Sequence, residues 1–248
     1  MNSFRSLSFA SAGLVLMVTG GLAGWMWQSK SVAATTPAEA ASRAEIERTV
    51  HDYILNHPEI LPEAMERLRA REARKQLAGV ADQVEMPFPG AVLGNPQGKV
   101  TLVEFTDFAC TFCRRSVADV EAVIAANPDL RVVVRELPIL TPASGDAARM
   151  ALAAAEQGRY AAFHKAMWQA GRPDAQTIAA AARAAGLDMA RAGRVIADPR
   201  IDGEIAHNLD LARQLGFDGT PSWVVGEQIL SGAVGENELA KAVTAARG

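Results

Sequence analysis

The chain of 248 residues has a net charge of −3, is 49% hydrophobic and 21% charged, and contains two cysteines and four histidines. These proportions belong to a globular protein with an ordinary core. They exclude a disulfide-built scaffold and a histidine metal tract. Acids and bases are interleaved without a basic patch, which excludes a nucleic-acid partner.

From Ser6 to Ser29 no charged residue occurs, and Arg5 and Lys30 flank the run, whose core reads GLVLMVTGGLAGWMW. A basic start, an apolar run and small residues at Val32-Ala33-Ala34 match a secretory signal cut before Thr35. The run is longer than a usual signal core, and Trp25 and Trp27 suit a membrane interface, so an uncleaved inner-membrane anchor fits as well. Residues 1–34 are therefore read as signal peptide or anchor. Either way the rest of the chain is exported to the periplasm, where disulfides can form.

Residues 35–86 begin with an Ala/Thr/Pro linker, and a polar helical stretch runs from about 42 to 84. Ile46, Val50, Tyr53 and Ile54 recur at helical spacing, as do Leu61, Met65 and Leu68. Asn56-His57-Pro58 splits the stretch into a short helix, a bend and a longer helix. The charge-laced ERLRAREARK leaves a narrow apolar stripe, to be covered by the main domain or by other copies of the chain. A solvated linker helix is the plain alternative.

Pro87, Pro89 and Asn95-Pro96 mark a boundary. KVTLVEF reads as a strand, a helix follows from about Cys110 to Ala126, and RVVVRELPI reads as a second strand. Strand, helix, strand implies a parallel pair with a crossover helix. From about 143 to 215 the pattern is helical, with a stop at Gly186 and a start at Asp188. TPSWVVGEQIL gives two short strands around Gly226-Glu227, and ENELAKAVTAAR a closing helix.

Both cysteines, Cys110 and Cys113, lie in EFTDFACTFCRRSV. They supply half of a tetrahedral zinc site; no second pair exists, and His164 and His207 have no ligand spacing. What remains for metal is a copper or zinc contact shared between chains. Haem attachment needs a histidine where Arg114 stands. A structural staple closing so short a loop contributes only about 2 kcal/mol. As a redox pair the geometry fits, because cysteines one helical turn apart fall within the roughly 4.4–6.8 Å that bridged Cα atoms require. The preceding strand puts Cys110 at a helix N-terminus, where free amides and a dipole contribution of about 0.3–2 kcal/mol favour a thiolate. The amides of Phe112 and Cys113 are the expected donors. Cys110 attacks, and Cys113, deeper in the helix, resolves the mixed disulfide.

VLGNPQGKVTLVEFTDFACTFC, together with GTPSWVVG, resembles the DsbA-like branch of the thioredoxin superfamily over about residues 88–248. The resemblance implies an α/β thioredoxin fold with an inserted helical domain (about 143–215) in a domain spanning 87–248, preceded by an N-terminal helical extension. IERTVHDYILNHPEILPEAMERLRARE resembles the N-terminal extension of ScsC-type proteins, a helical oligomerisation segment. It implies a homo-oligomer formed through residues 42–84.

Carried over one at a time, Cys110 matches the family's nucleophile and Cys113 its resolving cysteine. Glu104 matches a buried acid that relays protons. From physics alone an acid inside TLVEF is an anomaly, since a strand covered on both faces is continuously apolar. If buried, its raised pKa suits proton exchange with Cys113; a strand-end glutamate facing water is the alternative. Thr220-Pro221 matches the cis-proline loop, whose backbone at Thr220 can pair with an extended substrate segment. Phe112 is expected to be exposed beside Cys110 and to contact substrate. Trp168, Phe163, Met167 and Trp223 are expected in the core. Arg114 and Arg115 either support the thiolate or are solvated surface. One departure matters: the dipeptide is Thr111-Phe112, where the strongly oxidising DsbA type has Pro-His, which predicts a less oxidising couple.

The expected function is an exported thiol–disulfide oxidoreductase acting on unfolded or misfolded exported proteins, with no cofactor beyond the Cys110–Cys113 redox pair. Isomerase or reductase is preferred over oxidase. The implied membrane partner is a reductase for an isomerase and a quinone-linked reoxidant for an oxidase. The alternatives are a DsbA-type oxidase, a copper-handling thiol protein and a holdase chaperone.

Overall fold

The computed structural model describes residues 37–247, so the segment read as signal or anchor lies outside the described residues. Among the described residues no helix is long and apolar enough to cross a membrane. The chain divides into two compact units between Ala64 and Met65.

The first unit holds α1 (Pro37–Asn56) and the opening of α2 (Ile60–Leu77). Pro58 has no amide to continue the helix, and the break is bridged by the Ile60 amide donating to the His57 carbonyl at 3.2 Å. Ile46, Val50, Tyr53, Leu55 and Leu61 are all exposed.

The second unit is built on a five-stranded sheet in the order β1-β3-β2-β4-β5, from β1 (Val92–Gly94), β2 (Val100–Thr106), β3 (Leu130–Glu136), β4 (Ser222–Val225) and β5 (Gln228–Ser231). β2 and β3 run parallel, joined by α4 (Thr111–Ala126), as the strand–helix–strand pattern requires. The remaining pairs are antiparallel. Short α3 (Ala81–Glu85) precedes the sheet, and α10 (Glu236–Ala245) closes the unit. Between β3 and β4 lie five helices, α5 (Pro142–Ala155), α6 (Tyr160–Ala170), α7 (Ala175–Ala184), α8 (Met189–Ile196) and α9 (Pro199–Gln214). This is a thioredoxin fold with an inserted helical block.

Every residue of β2 is buried, because both faces are covered. Leu102 and Val132 face Cys113, Val120 and Val123 of α4 and the alanine-rich α5, whereas Val103, Phe105 and Val133 face Leu77, Val84 and Leu211. The second half of α2 is thus a cover for the sheet, with Ala73 and Leu77 buried and Met65 and Leu68 exposed. Helix starts follow the capping residues: Thr141 and Ser144 form a capping box for α5, Asp174 and Thr177 one for α7, and Asp188 and Asp198 cap α8 and α9. Gly90 takes φ +89°, and a Cβ there would meet the Ala155 carbonyl oxygen at 2.4 Å, so only glycine lets this loop cross the end of α5.

Two readings change. The three residues of β1 were hidden in a stretch that reads as turns. β3 ends at Glu136 rather than Ile139, since Pro138 has no amide to donate and the Ile139 and Leu140 amides are taken by a side chain of the site.

Candidate active site

Cys110 is the N-cap of α4, and its sulfur accepts the Cys113 amide at 3.4 Å. The Cys110 thiol donates to the Thr220 carbonyl at 3.2 Å, across the cis Thr220–Pro221 bond that opens β4. Both cysteines are free; Cys110 is 6% exposed and Cys113 is sealed beneath it. The loop before α4 is set by Asp107, whose carboxylate accepts the amides of Ala109 (2.8 Å), Ile139 (2.9 Å) and Leu140 (3.0 Å). Its backbone carbonyl accepts the Cys110 amide at 2.9 Å. Asp107 is buried and thereby joins the cysteine loop to the loop after β3.

Glu104 is 3% exposed in mid-β2, its register partner on β4 being Trp223. Burial pushes its pKa up to about 7, against the lowering effect of the Thr106 hydroxyl. Burial likewise pushes the Cys113 thiol up to about 12, opposed by the Thr106 and Thr220 hydroxyls and the Asp107 backbone and reinforced by the Glu104 charge. A second acid stands on the same face: Glu136, opposite Thr106 in register, accepts the Tyr160 hydroxyl at 2.8 Å, and burial raises its pKa to about 8.

The sequence-expected residues come together: Cys110, Cys113, Thr220 and Pro221 meet at one point, and Glu104 lies on the sheet face that packs against Cys113. Phe112 is 52% exposed on the first turn of α4. Ile139 (42%) and Leu140 (51%) are exposed on the loop that Asp107 ties to the cysteines, so three apolar side chains rim the site. Asp107, Ile139 and Leu140 were not singled out in the sequence. An acid three residues before Cys110 was the available signal, but its partners lie 32 and 33 residues away. Arg114 is half-buried: its guanidinium donates to the carbonyls of Trp168 and Gly171 at the end of α6 and stacks 5.5 Å from the Trp168 ring centroid. Arg115 lies over Phe112 at 5.2 Å. Trp168, Phe163, Met167 and Trp223 are buried. Among the described residues no cluster of three or more His, Cys, Asp or Glu side chains is placed to hold a metal.

The model of the DSBA-like thioredoxin domain matches residues 101–244, more than half of the chain. The chain belongs to this family. Residues 43–75 match the copper resistance protein ScsC N-terminal domain. A thioredoxin-like oxidoreductase from Silicibacter pomeroyi DSS-3 is 44% identical, with a TM-score of 0.61 over 63% of this chain and 91% of that one. A linker-deletion mutant of Proteus mirabilis ScsC is 28% identical, with a TM-score of 0.64 over 88% and 99%. The Na(+)/H(+) antiporter NhaA 3 of Salinispora tropica is 31% identical over 71% of this chain, which spans only 28% of that protein's length.

Proposed function

We propose that this DSBA-like protein is a periplasmic thiol–disulfide oxidoreductase for exported proteins, working as isomerase or reductase rather than as oxidase. The observation that carries it is the Cys110 sulfur, capping a helix and touching the Thr220 carbonyl beside cis-Pro221. Ionised, Cys110 attacks a substrate disulfide, one substrate sulfur leaves as a thiolate, and the other stays joined to Cys110. The Thr220 backbone pairs with the extended segment around that sulfur, while Phe112, Ile139 and Leu140 offer apolar contact. Cys113 then attacks Cys110 and releases the substrate, with Glu104 taking the Cys113 proton.

The preference for isomerisation is supported by the Thr111-Phe112 dipeptide and by the exposed apolar rows, Ile46, Val50 and Tyr53 on α1 and Leu61, Met65 and Leu68 on α2. Copies of the chain associating through these rows would set several Cys110 thiols around one misfolded substrate. Such an enzyme works reduced, which requires a membrane reductase as partner. Export is supported by the basic-flanked uncharged run ahead of Lys30.

The test is reactivation of scrambled ribonuclease by the wild-type chain and by the double variant Val50→Glu, Tyr53→Glu, with mass measured by light scattering. Reactivation by an oligomer, with both properties lost in the variant, is expected. A wild-type chain that cannot unscramble but oxidises reduced ribonuclease is an oxidase, and the isomerase reading falls.

A further inference from the structure

Thr106 lies two residues beyond Glu104 on β2, so both side chains project from the same face of the sheet, the face against which Cys113 packs. All three are buried, with Cys113 and Thr106 fully excluded from solvent. The Thr106 hydroxyl oxygen has no hydrogen-bond partner in the dithiol form, and neither has that of Thr220. An orphaned buried hydroxyl costs about 1–3 kcal/mol. Native proteins retain few such groups, and a change of state that supplies the missing partner is one reason to keep them. Here the change of state is available, because Cys113 must become a thiolate to resolve the mixed disulfide, and its side chain has no surface open to bulk solvent.

We propose that the Thr106 hydroxyl is the proton bridge between Cys113 and Glu104, and that with the Thr220 hydroxyl it solvates the Cys113 thiolate. This rests on the exchange chemistry and on the Glu104 role proposed above. A hydroxyl has one proton to donate and two lone pairs, so it can accept from the thiol while donating to the carboxylate. The Thr106 hydroxyl lies near enough to both groups to lower the pKa of each against burial, while meeting full hydrogen-bond geometry with neither. The other acids nearby are engaged: Glu136 of β3 accepts the Tyr160 hydroxyl of α6, and Asp107 accepts three backbone amides.

The step balances. In the Cys110–substrate mixed disulfide, the Cys113 S–H proton passes to the Thr106 oxygen as the Thr106 proton passes to the Glu104 carboxylate. The Cys113 thiolate, held by the Thr106 and Thr220 O–H donors, attacks the Cys110 sulfur. The Cys110–Cys113 bond forms and the Cys110–substrate bond breaks. Two electrons leave with the substrate thiolate, which takes its proton from solvent.

The test reacts the reduced full-length chain with an aromatic disulfide, dithiobis(nitrobenzoate), in a stopped-flow cell. A first burst of thionitrobenzoate reports Cys110 attack, and a second, intramolecular burst reports Cys113. Thr106→Val is expected to slow the second burst at neutral pH by at least about tenfold, far more than the first, and to remove its inflection near the Glu104 pKa. Thr106→Ser, which keeps the hydroxyl, restores it. Glu104→Gln slows the same burst, and adding Thr106→Val to it slows it no further. Thr106→Ala, which also deletes the hydroxyl, serves if the valine variant does not fold. A second burst at the wild-type rate in both hydroxyl-deleted variants, or one slowed multiplicatively in the double variant, overturns the bridge while leaving Glu104 in place. An unaffected Glu104→Gln removes the Glu104 role and the bridge with it, and no first burst at all removes the exchange chemistry itself.

Discussion

Both hydrogen bonds described at the Cys110 sulfur run to backbone groups, the Cys113 amide and the Thr220 carbonyl. In the exposed dipeptide, Phe112 offers an apolar ring where a donor would stabilise a thiolate. Phe112→His should therefore make the couple more oxidising by roughly 30 mV, a tenfold shift of its equilibrium with glutathione that alkylation and mass analysis would read. The buried acids make a second prediction. Glu104 and Glu136 have pKa values raised to about 7 and about 8, so folding favours their protonated forms. Their stabilisation is complete below the unfolded value and is lost as pH rises through 7 to 8. His164, held down at about 4 by burial, works oppositely but only below its unfolded value of 6.5. Between pH 6.5 and 8 the unfolding free energy from urea titration should fall, by up to about 1.4 kcal/mol per pH unit from Glu136 and by less from Glu104, and Glu136→Gln should flatten that slope. That Cys110 and Cys113 open a helix and that Glu104 sits inside a strand was legible in the sequence, because spacing and strand pattern are local. The surroundings of Thr106 and Asp107 were not, since these depend on what α4 and the loop after β3 bring beside them.

At the scale of elements, the buried Arg135 holds three pieces together. From β3 it donates to the carbonyls of Gln83, Val84 and Met86 around the end of α3, and to Glu204 (3.1 Å) and Asn208 (2.9 Å) of α9. Removing the cation leaves the buried Val84 carbonyl and Asn208 without their donor and Glu204 without its counter-charge, so Arg135→Met should cost about 3 kcal/mol in urea unfolding. Arg114 does a similar job between α4 and the end of α6. The helices themselves were readable from caps and periodicity, and the parallel β2–β3 pair from its crossover. The struts were not, because an arginine inside RVVVRE carries no mark of what it will meet. β1 was missed for a different reason: it is short and partly exposed, and its order comes from pairing with residues 131–133.

For the molecule as a whole, the sequence places its boundary at Pro87, yet the sheet face bearing Val103 and Phe105 is covered by residues from before it, Leu77 and Val84. A chain starting at residue 87 also strips Arg135 of its α3 carbonyls, and it should unfold at a distinctly lower urea midpoint than one starting at residue 65. The helical extension was legible as a helix with an apolar stripe. That its C-terminal turns belong to the core of the second unit was not, since the same stripe would suit a partner chain.

The contact between Cys110 and the Thr220 carbonyl has one more consequence. In the neutral dithiol, one lone pair of the acceptor proposed for a substrate strand is taken by the nucleophile's own proton. A thiolate has no proton to give, so the form of the sulfur that can attack makes no such donation to the oxygen. The atom proposed to react and the atom proposed to dock a substrate strand thus share one contact, so a strand that pairs with Thr220 is set down 3.2 Å from the nucleophile.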